Sequence, residues 1–335
     1  TGVLSFSGSE TLANYQAVLA TVTYNNTSSN PNTVVPREIE FVVNDGVSNS
    51  NTAISTDTVT AVATQPDQPD LNGPGAGGND HTVTFTEDAG AVNITTNDAT
   101  ITDPDSSNLS SMTVTITNLQ DGAFESLSGT VTGNITTSGY NSGTGEIIFN
   151  GVDTLANYES VLRSITYNNL DQDPDNTQRE ITVVVNDGTS NSPLSTSFVN
   201  VVPVNDPPVL DLDNDDSTAA GTGYANAFVE NGGAVSAADT DVSIIDVDDL
   251  NMASATVRIT NVQDNLEEFL LVDTTGTNIT GAYDLNTGIL SLTGADTVAN
   301  YEQVLSTVRY ENTSDTPTET QDRLISFTVN DGTID

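Results

Sequence analysis

The sequence predicts an all-β protein of tandem β-sandwich repeats, with one short helix in each. Three observations carry this reading. The chain repeats itself with a period of 143 residues. Its apolar residues alternate with period two over short runs, and turn signals punctuate those runs at intervals of roughly a dozen residues.

The repeat comes first. Residues 11–26 read TLANYQAVLATVTYNN, residues 154–169 TLANYESVLRSITYNN and residues 297–312 TVANYEQVLSTVRYEN. Tyr15, Tyr158 and Tyr301 are 143 residues apart at each step, and Glu87/Glu230, Asp103/Asp246 and Asp105/Asp248 keep that register. A V-N-D-G block recurs at Val43–Gly46, Val185–Gly188 and Val329–Gly332, within one residue of the same period. The expected organisation is the C-terminal part of a repeat over 1–65, a complete repeat over 66–205, and a repeat lacking its last strand over 206–335. Thr1 aligns with Thr144 in mid-repeat, and Asp335 stops short of a final strand. The sequence therefore reads as a stretch of a longer array. In the alternative, neighbouring molecules complete the open ends by strand addition.

Within a repeat, Met112–Asn118 (MTVTITN), Ala255–Asn261 (ATVRITN) and Ser197–Val204 alternate as half-buried strands do. The helix is expected at the T-x-A-N-Y block. There Leu155, Tyr158, Val161, Leu162 and Ile165 share one face, and Asp153 or Thr154 caps the start. These apolar side chains read as core. Junctions are expected at Gln65–Pro69 and Val204–Pro208, where prolines fix φ and hold the preceding residue extended.

Composition narrows the function. The chain has 47 acidic and 6 basic residues, a net charge of −41, and every basic residue is arginine. Nucleic acid and anionic lipid both need a basic footprint, so neither is an expected partner. The acidity reads as a solvated coat or as carboxylates gathered for divalent cations. With no cysteine there is neither a disulfide nor a Cys-based metal site. With no lysine, Lys–Asn isopeptide cross-links are impossible. No apolar run is long enough to span a membrane as a helix, and the first residues do not form a signal peptide.

Hard cations take about six to eight oxygen ligands, so the acids that recur near the junctions are the candidates. Asp103 and Asp105, and Asp246 and Asp248, form D-x-D pairs after the first strands of their repeats. Glu87 and Glu230 precede them in F-x-E. Asp187 and Asp331 lie in the N-D-G turns, and Asp206 lies in the linker. The order Glu, D-x-D, N-Y-E, V-N-D-G and V-N-D-P-P resembles the cadherin-like domains of bacterial adhesins and animal cadherins. That resemblance implies tandem Ig/cadherin-like sandwiches in an elongated array, with calcium between successive domains. It implies one ligand set of Glu87, Glu159, Asn205 through its backbone, Asp206, Asp246, Asp248 and Asp331. It implies another of Gln16, Asp67, Asp103, Asp105 and Asp187. This second set departs from the pattern, since Gln16 replaces the glutamate and Asp67-Gln68-Pro69 lacks the N-D pair.

Other features read as structural. Asp171, Asp173 and Asp175, and Asp211, Asp213, Asp215 and Asp216, are expected in solvated loops. Arg37, Arg179 and Arg323, each just before a V-N-D-G strand, are expected to pair with a carboxylate in their own repeat.

No catalytic residues are expected. His81 is the only histidine and stands in one repeat alone, so no histidine base recurs. Nucleophile-elbow, phosphate-loop and zinc-protease motifs are absent. A carbohydrate-active module would need aromatic platforms, and aromatics make up only 5% of the chain. The expected function is a structural or adhesive segment of a secreted, extracellular, cell-surface repeat protein, a surface fibre or adhesin stalk with calcium-stiffened joints. A self-assembling filament, sheath or lattice subunit is the alternative. Expected partners are other copies of the repeat or neighbouring chains in a fibre, and cell-surface or glycan ligands.

Overall fold

A computed structural model describes residues 2–333. Thr1 and Asp335, the end points of the mid-repeat reading above, lie outside them, as does Ile334. By contacts the chain forms two compact units. One comprises Thr1–Val83, Val92–Tyr167 and Arg179–Val199; the other comprises Thr84–Ala91, Asn168–Gln178 and Asn200–Asp335.

The architecture is all-β with three short helices, one per repeat, as the sequence predicts. The first repeat segment holds α1 (Leu12–Leu19) and an antiparallel pair, β1 (Arg37–Phe41) and β2 (Ala53–Asp57). The second holds β3 (His81–Thr86), β4 (Val92–Asn93), β5 (Asn108–Ile116), β6 (Glu125–Ser128), β7 (Thr136–Thr137) and β8 (Glu146–Thr154). It continues with α2 (Leu155–Leu162), β9 (Thr166–Asn169), β10 (Arg179–Asn186) and β11 (Ser195–Val202). Its strands form a six-stranded sheet, β3-β11-β10-β5-β8-β7, and a three-stranded sheet, β4-β9-β6. The third holds β12 (Val209–Asp211), β13 (Val235–Ser236), β14 (Ser243–Ile245), β15 (Asn251–Ile259), β16 (Glu268–Leu271) and β17 (Thr280–Asp284). After these come β18 (Ile289–Thr297), α3 (Val298–Ser306), β19 (Arg309–Asn312) and β20 (Ile325–Asn330). These strands make the sheets β17-β18-β15-β20, β13-β19-β16 and β12-β14.

The strand alternation is realised as burial. In β5, Met112, Val114 and Ile116 point into the core while Thr113 and Thr115 do not. In the third repeat Met252, Val257, Leu292, Tyr301, Leu305 and Tyr310 belong to one buried cluster.

The T-x-A-N-Y block builds the helix start by local chemistry. Thr11, Thr154 and Thr297 are N-caps, each accepting from the amide of the asparagine three residues on. Asn157 and Asn300 donate to Asp153 and Asp296, four residues before them. The tyrosine hydroxyls donate to the carbonyls of Gly8, Gly151 and Gly294. Gly151 and Gly294 have φ of +132° and +127°. A Cβ there would sit 2.5 and 2.4 Å from the carbonyl oxygens of Asn134 and Asn278, so glycine is required at both. In the first segment the same local bonds form without a core: no residue of α1 is buried, and Leu12 is 84% exposed.

In each later repeat an arginine at or just before a strand of the larger sheet pairs with a buried glutamate of the three-stranded sheet. Arg179, at the start of β10 and 0% exposed, pairs with Glu125 at the start of β6 and with Asp121. Glu125 also accepts from the Tyr167 hydroxyl of β9 at 2.8 Å and from the amides of Gln120 and Asp121. Burial, then the Glu125 carboxylate, pushes the Tyr167 hydroxyl far above its usual range. The third repeat rebuilds the set as Arg323, Glu268, Asp264 and Tyr310. Arg37 departs from the sequence expectation. It donates to the backbone carbonyls of Val35 and Asn32.

Arg179→Met strands the buried Glu125 carboxylate, and removing one partner of such a pair costs about 3–5 kcal/mol. The expected outcome in urea denaturation is a loss of that size. The double variant Arg179→Met/Glu125→Gln should lose less than the single variant.

Candidate metal site

One acidic group gathers residues from four places in the chain, all within the second compact unit. Glu87 follows β3 and is 3% exposed. Its amide donates to the carbonyl of Val202 at 3.1 Å, and its Oε2 accepts from the amide of Val204 at 2.8 Å. Its Oε1 is buried and has no hydrogen-bond partner. Asp206, in the linker, donates its amide to Asp248 Oδ2 at 2.5 Å. Asn205 donates its side-chain amide to Asp331 Oδ2 at 2.9 Å. Asp246 Oδ1 accepts from the amides of Asp248 and Asp249, a local turn bond. Its Oδ2 is buried and without a partner.

The electrostatics are one-sided. Burial first, then Asp206, Asp248 and Asp88, raises the Glu87 carboxyl above its ordinary range. Burial, then Asp248, Asp88 and Asp246, raises Asp206. Burial, then Asp246, Asp331, Asp248 and Asp173, raises Asp249. The charged neighbours that raise these acids are all carboxylates. Two buried acceptor oxygens with no donor, inside such a field, fit a hard cation.

The equivalent residues of the second repeat lie differently. Asp103 Oδ1 accepts from the amides of Asp105 and Ser106, and its Oδ2 is buried without a partner. Asp105 meets the amide and hydroxyl of Thr64, the hydroxyl at 2.6 Å. Those Thr64 bonds hold its carboxyl below the usual range. Asp67 accepts from the Thr102 hydroxyl at 2.8 Å. Asp187 caps its own turn through the amides of Thr189 and Ser190. Gln16 is exposed on α1. In this group Asp105 is answered by Thr64, where Asp248 is answered by the amide of Asp206, itself an acid.

One residue of the implied sets, Glu159, and one further candidate, Glu230, are placed elsewhere. Glu159 does not join Glu87: its Oε1 accepts from the amide of Ile101 at 3.1 Å and its Oε2 pairs with Arg163 at 3.2 Å. It therefore buttresses the segment leading into Asp103. Its counterpart beside Asp246 is Glu302, which accepts from the amide of Ile244. Glu230 is exposed, and its Oε1 accepts from the side-chain amide of Asn231 at 3.3 Å.

The sequence reading missed Asp88, Asp249 and Glu302. Each carried a signal: Asp88 adjoins Glu87, Asp249 extends D-x-D to D-x-D-D, and Glu302 is 143 residues from Glu159. It also missed the burial of Asp213. Asp215 and Asp216 are exposed as expected, but Asp213 is 0% exposed. It takes five donors from Ser217, Thr218 and Ala219, which hold its carboxyl well below the usual range. Carboxylate oxygens of Asp213, Asp239 and Asp241 lie within 4.8 Å of one another.

No protein-family model and no curated protein matches the chain. Among solved structures, the chain is similar to the C-terminal domain of the Streptococcus agalactiae AgI/II polypeptide BspA. That match has 12% identity over 66% of this chain and 75% of that one, with a TM-score of 0.16. The C-terminal domain of the Streptococcus pyogenes antigen I/II-family protein AspA matches at 11% identity over 66% and 76%, with a TM-score of 0.15. Scores this low establish neither a shared fold nor a shared function.

A carboxyl raised in the folded state favours the protonated form, so its charge destabilises the metal-free fold above its pKa and the penalty fades as pH falls through it. Glu87→Gln removes that term. In chelator at pH 7 the variant is expected to melt at or above the parent, by roughly 2–4 °C per kcal/mol relieved. The difference should shrink toward pH 4, as thermal melts across the pH range would record.

Proposed function

We propose that the chain is a structural or adhesive segment of an extracellular, cell-surface repeat protein whose successive repeats are tied by calcium. The observation that carries this reading is the pair of buried, partnerless oxygens, Glu87 Oε1 and Asp246 Oδ2, in a group whose raised acids are surrounded by other acids. Glu87, Asp206, Asp246, Asp248 and Asp331 would supply carboxylate oxygens, and Asn205 its backbone carbonyl. Calcium accepts that number of oxygens in irregular arrangement, whereas magnesium demands near-octahedral geometry and keeps its waters. The ion would supply charge neutralisation and a mechanical tie. Glu87 belongs to the second sequence repeat and Asp246, Asp248 and Asp331 to the third, so one bound ion engages both.

The proposed mechanism is thermodynamic linkage. A cation that binds the folded state alone stabilises it by about 2.7 kcal/mol at a hundredfold excess over its dissociation constant. It also cancels the carboxylate repulsion that loosens the metal-free protein. The scarcity of aromatic side chains favours a spacer over a recognition surface, because binding hot spots prefer Tyr, Trp and Arg.

The test is thermal unfolding and small-angle scattering in millimolar calcium and in excess chelator. Calcium is expected to raise the melting temperature by several degrees and to narrow the distribution of particle dimensions. Asp246→Ala should abolish most of both effects, and Asp105→Ala, whose partner Thr64 already satisfies it, should leave them largely intact. An unchanged melt on calcium addition, or an unchanged response in Asp246→Ala, would overturn the reading.

A further inference from the structure

The two linkers answer the same D-x-D pair with different chemistry. Thr64 and Asp206 are equivalent positions. Asp57 lies opposite Arg37 and Val199 opposite Arg179, an offset of 142 residues, and Thr64 and Asp206 stand 142 apart. The first aspartate of each pair behaves alike. Oδ1 of Asp103 and of Asp246 accepts two amides of its own turn, and Oδ2 is buried without a partner. The difference lies at the second aspartate. Both linker residues donate a backbone amide to it, Thr64 to Asp105 Oδ2 at 3.1 Å and Asp206 to Asp248 Oδ2 at 2.5 Å. The Thr64 hydroxyl then donates to Asp105 Oδ1 at 2.6 Å. Asp206 brings a carboxylate instead, and an ionised carboxylate accepts hydrogen bonds but donates none. Among the described residues, the Asp206 amide is the one donor that Asp248 receives.

The residues that follow carry the contrast further. After Thr64 the linker is tied to the second repeat by direct bonds. The Asp67 amide donates to the carbonyl of Thr102 at 2.9 Å, and the Asp67 carboxylate accepts from the Thr102 hydroxyl at 2.8 Å. Gln68 Nε2 donates to the carbonyl of Leu194 at 2.8 Å, and the Ser195 hydroxyl donates to the carbonyl of Pro69. After Asp206 come Pro207 and Pro208, which have no amide hydrogen to give.

We propose that residue 206 determines whether this linker needs a cation. With aspartate there, two carboxylates face each other and an ion between them closes the contact; with threonine, the hydroxyl would close it directly, as Thr64 does. Like charges at contact distance repel, whereas a hydroxyl donating to a carboxylate makes one of the stronger hydrogen bonds. The chain already holds the threonine arrangement at the equivalent position, so exchanging the residue copies a geometry that the fold accepts. The cation's part in this rests on the calcium reading above. The hydroxyl's part concerns the metal-free chain alone and does not.

The test compares Asp206→Thr, Asp206→Ala and the parent chain in thermal melts, in excess chelator and in millimolar calcium. Both variants remove the carboxylate, but only threonine adds a donor. In chelator Asp206→Thr is expected to melt about 2–4 °C above Asp206→Ala, the shift that one net hydrogen bond makes. That gain should vanish when Asp248→Ala is added to each. In calcium, the rise in melting temperature should shrink in Asp206→Thr to less than half of the parent's. A threonine variant that melts no higher than the alanine variant in chelator overturns the proposal, as does one that keeps the parent's full calcium response. A parent that does not respond to calcium overturns the calcium reading and with it the cation's part here; the chelator comparison still decides the hydroxyl's.

Discussion

The buried arginine is the constraint on which each complete sandwich depends. Arg179 enters the larger sheet of its repeat, and its partners Glu125 and Tyr167 belong to the smaller one. An unpaired guanidinium cannot be buried at tolerable cost, so closure of the core and pairing of the charge have to happen together. The third repeat makes the same bridge from Arg323 to Glu268 and Tyr310. In the first segment Arg37 donates to the backbone carbonyls of Val35 and Asn32, and no residue of α1 is buried.

The acids divide by what surrounds them. Asp153, Asp213, Asp264 and Asp296 receive amides, hydroxyls or a guanidinium, and each has a lowered pKa. They are part of the fold: they cap, brace and close turns. Glu87, Asp206 and Asp249 face other acids and are raised. The same residue types therefore serve stability in one place and form a poised anionic site in another. Asp105 accepts from the amide and hydroxyl of Thr64 and Asp248 from the amide of Asp206, so the linker residue beside the pair brings a hydroxyl in one place and a carboxylate in the other.

The sequence by itself determined the repeat, the all-β class, the three helices and the acids at the linker. These depend on patterns local in the chain: period-two alternation, an Asp or Thr cap at the helix start, and Pro at the junctions. It left open which carboxylates would be satisfied. Glu159 sits four residues from Arg163 and within reach of the Ile101 amide, a partnership between residues 58 positions apart that no local pattern reports. The burial of Asp213 and the partnerless oxygens of Glu87 and Asp246 were likewise decided by tertiary structure. Each depends on where distant backbone donors fall once the sheets have closed, and a carboxylate's role is set by those donors rather than by its place in the chain.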